Sequence, residues 1–382
     1  MRILIVVQRY GADVVGGSES HARSTAMRLS LSHHVEIATT TASDFWTWAS
    51  HYPAGDDEVD GLRVRRFPVA SGRSPSFKEI EDRLVFGQHS LADEERWLAA
   101  QGPHCPELLE FLHREGRSYD AVLFYTYIYE PTALGLRIVP ERSALISTAH
   151  DEWPLRFAPY RALFQMPRAF GFLTPEERDV VHGVFHNGHI PYEVIGVGMD
   201  APPEDRDASY RTRFPAGPLV VYLGQVREGK GVGELLDGWT AYRDGGGRGT
   251  LALAGVQRME IASRDDVVAL GRVSDEEKWS LLACADVLVL PSRLESLGIV
   301  LLEAWQVGTP VLVPSANKVT SGQVTRSGGG WVYDDGAFAP ALAGALGAGR
   351  APGESARRWV REECSWESFD RRLGRLLELA AA

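Results

Sequence analysis

The chain has 382 residues, 44% hydrophobic and 24% charged, which is enough for two ordinary domains that each bury a core. A formal net charge of -11 and a pI near 5.5 argue against a nucleic-acid binder, whose electrostatic footprint is basic. The three cysteines, Cys105, Cys284 and Cys364, are scattered without metal-ligand spacing, so no disulfide framework is expected and a reduced, cytoplasmic chain fits best.

In chain order, "RILIVV" opens as a buried first strand rather than a signal peptide. "VEIATT", "RVRRF", "YDAVLFYTY", "SALISTAH" and "YEVIGV" are the further strand candidates of the first half, spaced by helical stretches as in a parallel α/β sheet. Residues 198–217 then cluster Pro, Gly and charge and read as a linker. "PLVVYLG", "GTLALAG", "DVVALG", "ADVLVLPS" and "TPVLVPS" are five more strand candidates at α/β spacing. A closing helix carries Trp366, Phe369, Leu373, Leu376 and Leu377 on one face and must pack on something. The expected organisation is an N-terminal domain over 1–200, a C-terminal domain over 201–364 and a helix over 365–382. No apolar run reaches the roughly 18 residues of a membrane span.

Three motifs suggest chemistry that their surroundings deny. Gly224, Gly229 and Lys230 have Walker A spacing, yet Gly231 stands where the magnesium-binding hydroxyl belongs. Gly196, Gly198 and Ala201 imitate a dinucleotide fingerprint, but Pro202 and Pro203 stop the helix that should hold the pyrophosphate. His182, His186 and His189 have no second ligand cluster, and Gly183 and Gly188 favour a loop there, so no metal is expected.

The passage "PSRLESLGIVLLEAWQVGTPVLV" is a strand-helix-strand unit. It puts Glu295 in the turn past a strand's C-terminal end, where open α/β sheets take ligands, and Glu303 inside the following helix. The amides of Leu297, Gly298 and Ile299 lie at that helix's N-terminus and suit a phosphate. Taken singly, Glu295 reads equally as a helix cap and Glu303 as an exposed helix residue. Together they match a ligand with a central diphosphate and hydroxyls at both ends.

Glu295 and Glu303, seven residues between them and Gly298 inside the interval, resemble the signature of the group 1, or family four, retaining glycosyltransferases. "GGSE" (16–19), "TAHDEW" (148–153), "YLGQVREGKG" and the "SW" opening the last helix extend the resemblance over nearly the whole chain. It implies the α/β GT-B fold: two Rossmann-like domains facing across a cleft, with the C-terminal helix crossing back to the N-terminal domain. The implied reaction moves a sugar from a nucleotide-diphosphate sugar to an acceptor hydroxyl on a saccharide, a lipid-linked glycan or a small natural product, with retention and no obligatory metal or other cofactor. On the same fold, a nucleotide-sugar epimerase or hydrolase and a catalytically inactive nucleotide-sugar-binding protein are the alternatives.

By the same resemblance Glu303 binds the ribose, Lys230 and the amides of Leu297, Gly298 and Ile299 bind the diphosphate, and Glu295 orients the donor sugar. Gly271, in "ALGRV", lies against the base. Gly16 and Gly17 let the backbone approach the leaving phosphate, Glu19 holds that loop or caps its helix, and His150 faces donor sugar and acceptor. The family pattern has an arginine after Gly224; here it is Gln225, and Arg227 either supplies the missing cation or is a solvated loop charge. Trp46, Trp48 and Tyr125 are the aromatic candidates for the acceptor. Residues 156–170 mix arginine with aromatics in a way that suits either a packed helix or weak contact with a membrane surface.

Overall fold

A computed structural model describes residues 1–14 and 16–381. They form two compact units, Met1–Gly198 together with the segment from Phe369 on, and Met199–Ser368.

The first unit holds an eight-stranded sheet: β1 (Arg2–Val6), β2 (His34–Thr40), β3 (Gly55–Val59), β4 (Leu62–Phe67), β5 (Ala121–Tyr125), β6 (Ser143–Ile146), β7 (Ala169–Phe172) and β8 (Tyr192–Val194). Their spatial order is β3-β4-β2-β1-β5-β6-β7-β8, parallel except for β3. Helices cover both faces, which is why β1, β5 and β6 read as continuous apolar runs without alternation. β3 has the sequence GDDEV and is stabilised by pairing, not burial. Asp60 and Gly61 turn the hairpin at φ 54° and 76°, Asp56 meets Arg63 and Asp57 meets Arg66, each at 2.7 Å. β7 was hidden by its shortness, four residues, and by Gly171, where a Cβ would stand 2.7 Å from Leu376 Cδ2. The glycine lets the closing helix, Trp366–Ala381, lie close on the strand. That helix buries Phe369, Leu373, Leu376 and Leu377, and Arg28–Asp370 and Arg375–Glu193 flank it.

One expectation is corrected here, and one open alternative is narrowed. The histidine segment is helical through Phe185, with His186 left-handed at its end, and among the described residues no group of three His, Cys, Asp or Glu side chains is arranged to hold a metal. In residues 156–170 Phe157, Tyr160, Leu163, Phe164 and Phe170 are core residues and Met166 is the one exposed large apolar side chain, which fits the packed-helix reading. Among the described residues no helix is long and apolar enough to cross one.

His21, on the first helix (Gly17–Ser30), is fully buried, and its Nε2 donates to Gly196 O at 2.8 Å. Burial holds its pKa down to about 4, so the folded chain keeps it neutral. Unfolded, the imidazole protonates near 6.5, so stability is complete above that pH and falls as the pH drops toward 4, by roughly 3 kcal/mol in all. Urea midpoints measured from pH 7.5 to 4.5 should show this slope in the native chain, and it should be reduced in His21→Gln. Equal slopes in the two proteins would refute it.

The second unit carries β9 (Leu219–Leu223), β10 (Thr250–Ala254), β11 (Val267–Gly271), β12 (Val287–Val289), β13 (Val311–Pro314) and β14 (Gly330–Tyr333), all parallel in the order β11-β10-β9-β12-β13-β14. The linker segment belongs to this unit. Asp200 accepts from Gln306 and Trp366, and Asp207 N donates to Ser280.

Candidate active site in the second unit

Strand order reverses between β9 and β12, and a doubly wound sheet opens its ligand crevice at such a point, past the strands' C-terminal ends. The loop after β9 carries Gly224 to Gly231, and the loop after β12 carries Pro291 to Gly298. They touch backbone to backbone. Gly231 has φ +74°, and a Cβ on it would stand 2.7 Å from Pro291 O. This contact explains why a glycine occupies the position that a Walker A loop gives to a hydroxyl. Above the contact Lys230 Nζ meets Glu295 Oε1 at 2.7 Å, both side chains partly buried. The two residues lie 65 apart in sequence, so the switch point alone joins them.

Glu303 sits in the second turn of the helix Ile299–Gln306. Gly298 is that helix's N-cap at φ +69° and supplies no side-chain acceptor, which leaves the first amides for a ligand. Two buried side chains, Asn317 at the N-cap of the next helix (Lys318–Ser327) and Gln323 within it, fix the approach to it: the Asn317 amide donates to Ser292 O (2.9 Å) and the Gln323 amide to Leu297 O (2.6 Å). Glu303 Oε1 accepts from Lys278 Nζ at 2.7 Å. Burial raises the Glu303 pKa and Lys278 works against that rise. Burial equally disfavours the Lys278 charge, but Glu303 and then Asp275 outweigh it and lift the lysine. Sequence reading missed Lys278. Its signal was a lone lysine on a helix whose face toward Glu303 depends on a tertiary crossing.

Gln225 is exposed, with its carbonyl taking the Tyr222 hydroxyl at 2.7 Å. Arg227 is half-buried, its Nε buried with no hydrogen-bond partner among the described residues, and its guanidinium lies against Gly229, 2.6 Å from where a Cβ would be. It is therefore packed onto the loop that carries Lys230 and is not a freely solvated charge. Gly271 ends β11 at φ +67°, and Gly255 N donates to its carbonyl at 2.7 Å.

In the first unit the sheet reverses between β1 and β5. Glu19 does not cap its helix. It is buried and accepts from Gln8 Nε2 (2.9 Å) and Arg9 Nε (2.9 Å), which ties the helix to the end of β1. A Cβ on Gly16 would stand 2.1 Å from Glu19 Oε2, so this glycine is required by the internal packing; at Gly17 a Cβ meets nothing within 4 Å. Past β5 and β6, Thr126 and Thr148 have φ 63° and 48°, which for β-branched residues is strain of the kind held at ligand sites. Their hydroxyls and that of Ser18 form a chain, Ser18 to Thr126 at 2.5 Å and Thr148 to Thr126 at 3.3 Å. His150 follows, half-buried, with Nδ1 unpartnered among the described residues. Its turn is pinned by fully buried Glu177, which accepts from Ser147 Oγ (2.6 Å), Ala149 N (2.8 Å) and Leu173 N (2.7 Å). Burial pushes the Glu177 pKa up to about 7 against those donors.

The acceptor candidates divide. Trp46 is 50% exposed. Trp48 is buried at 1%, donates to Gln101 O and packs edge-on against Tyr129, while Tyr125 is fully buried and donates to Thr25. Both are structural, and the expectation that they face an acceptor is corrected.

Residues 217–348 match the family model of glycosyl transferases group 1. The chain is 26% identical over 337 residues to a glycogen synthase of Mycobacterium tuberculosis, covering 82% of this chain and 77% of that one. It is 25% identical over 289 residues to a D-inositol 3-phosphate glycosyltransferase of Jonesia denitrificans, covering 69% of this chain and 62% of that one. Among solved structures, Anabaena HepE in complex with UDP and glucose superposes with a TM-score of 0.70 at 15% identity, over 99% of each chain. Two parallel-sheet Rossmann-like units and these neighbours define the GT-B fold. The chain therefore has the GT-B fold, and over residues 217–348 it is similar to the group 1 glycosyl transferases.

Proposed function

We propose that the protein is a retaining, metal-independent glycosyltransferase using a nucleotide-diphosphate sugar, with Lys230 on the diphosphate, Glu303 on the ribose and Glu295 on the sugar hydroxyls. The observation that carries this reading is the meeting of Lys230 and Glu295 at the β9/β12 switch point. A diphosphate entering there competes with Glu295 for the lysine and releases the carboxylate to accept from sugar hydroxyls. Arg227, packed on the same loop, supplies the second cation that Gln225 lacks, and Gly271 borders the base. The amides of Leu297, Gly298 and Ile299 complete the diphosphate site.

In the reaction the bond from the anomeric carbon to the diphosphate oxygen breaks and a bond to the acceptor oxygen forms on the same face. The acceptor's proton passes to the departing diphosphate. Lys230 and the helix N-terminus stabilise the charge that develops there. We assign the acceptor to the first unit, beside Gly16, Gly17 and His150, with Trp46 as the exposed aromatic face, and the enzyme to the cytoplasm, in keeping with three free cysteines. Polysaccharide assembly and decoration of a small natural product are both compatible with such a site.

Calorimetric titration with UDP, GDP, dTDP and ATP, each in EDTA and then in magnesium, tests the donor site. Metal-independent binding of one nucleoside diphosphate is expected and names the base. Binding of ATP alone, and only with magnesium, would overturn the assignment of Lys230.

A further inference from the structure

Among the described residues Arg73 is a half-buried arginine whose charge meets no carboxylate. Its Nε is buried without a hydrogen-bond partner, and the guanidinium lies over the Phe77 ring, 4.6 Å from the centroid. Burial pushes its pKa down. Two carboxylates, Asp44 and Glu81, lie within electrostatic reach without pairing with the guanidinium, and Asp44 is committed to Thr47 N (2.8 Å) and Thr47 Oγ1 (2.7 Å). Arg350 shows how this protein normally treats a buried guanidinium. Burial disfavours its charge too, but it donates to the carbonyls of Ala283, Ala285 and Val307 and to Thr309 Oγ1. A half-buried guanidinium whose Nε has no acceptor calls for an explanation, and an anion that binds there is one.

The position of Arg73 says what the ligand is. It lies on the loop after β4, and its backbone N–H donates to Thr47 O (3.2 Å) on the loop after β2, which carries exposed Trp46. The half-buried Tyr129 phenol, on the loop after β5, is within electrostatic reach of the guanidinium. All three loops leave C-terminal ends of parallel strands, the edge at which α/β sheets take ligands. We propose that Arg73 binds an oxyanion of the acceptor, so that the acceptor is a sugar or polyol bearing a phosphate or carboxylate, with its ring against Trp46. This rests on the reading that the first unit holds the acceptor. A guanidinium suits either oxyanion because its paired N–H groups match two oxygens at once.

The test follows the arginine Nε–H signals of the 15N-arginine-labelled full chain during titration with inorganic phosphate and, separately, acetate, the Arg73 and Arg227 signals being assigned by loss in Arg73→Met and Arg227→Met. Expected is a saturable shift of the Arg73 signal at millimolar ligand, with phosphate for a phosphorylated acceptor or acetate for a carboxylated one. Movement with neither ion overturns the proposal. Arg227 reports the donor site separately, so phosphate that moves Arg227 but not Arg73 rejects this inference and leaves the donor reading standing. Arg73→Met should also unfold at the same or a higher temperature, since it removes a half-buried charge that, among the described residues, forms no ion pair and whose Nε has no acceptor. A Tm lowered by several degrees would make Arg73 structural and reject the proposal as well.

Discussion

Glu303→Ala is expected to weaken nucleoside diphosphate binding about 10- to 100-fold, the range for losing hydrogen bonds to a charged, partly buried acceptor. The helix Ile299–Gln306 holds Glu303 where only its carboxyl end is engaged, by Lys278 at 2.7 Å, so truncation leaves the backbone intact and the lysine without its main counter-charge. Lys278→Met separates the two contributions. Burial already raises the Glu303 pKa, and without the opposing lysine it rises further, so this variant should bind nearly normally in mildly alkaline buffer and progressively worse as the pH falls and the acceptor protonates. Calorimetry at two pH values in both variants checks this. Unchanged affinity in Glu303→Ala would remove the ribose assignment.

How far the sequence disclosed this site depends on the kind of information each residue carries. Glu295 and Glu303 were legible because the loop after β12 and the helix behind it form one contiguous βαβ unit. Lys230 was legible because a glycine-rich strand-to-helix turn is local too. Their pairing was not, since the residues lie 65 apart and meet only because β9 and β12 are neighbours in the sheet. Lys278, Asn317 and Gln323 were invisible for the same reason: each acts through a packing contact with another element. In the first unit, β1, β2, β5 and β6 announced themselves as apolar runs, while the charged β3 did not, although the Asp60-Gly61 turn was a hairpin signal in plain view. Aromatics misled most. Trp48 and Tyr125 border loops at the ligand edge of the sheet, but a strand-end aromatic fills the core as readily as it stacks on a sugar, and composition does not separate the two.

Lys230→Ala is expected to lower kcat by about 10²- to 10³-fold, the scale for removing one preorganised group aimed at developing charge. Loss of stability should be small. Glu295, its ion-pair partner, keeps enough exposure to be hydrated once the lysine is gone, and partly exposed pairs contribute about 1 kcal/mol or less. The pairing also predicts how the two residues fail. Glu295→Gln removes the competitor for Lys230, so nucleotide should bind as well or slightly better while transfer falls, because the sugar loses its charged acceptor. The double variant should then be no slower than the product of the single effects, and slower than either alone if lysine and glutamate act on different parts of the donor. The measurement is acceptor-dependent nucleotide release at saturating donor, using the nucleotide whose diphosphate binds in the titration. A fall in kcat that persists at saturation places Lys230 on the leaving group's charge in the transition state. A raised KM with kcat unchanged would confine it to gripping the ground state and would remove it from the chemical step.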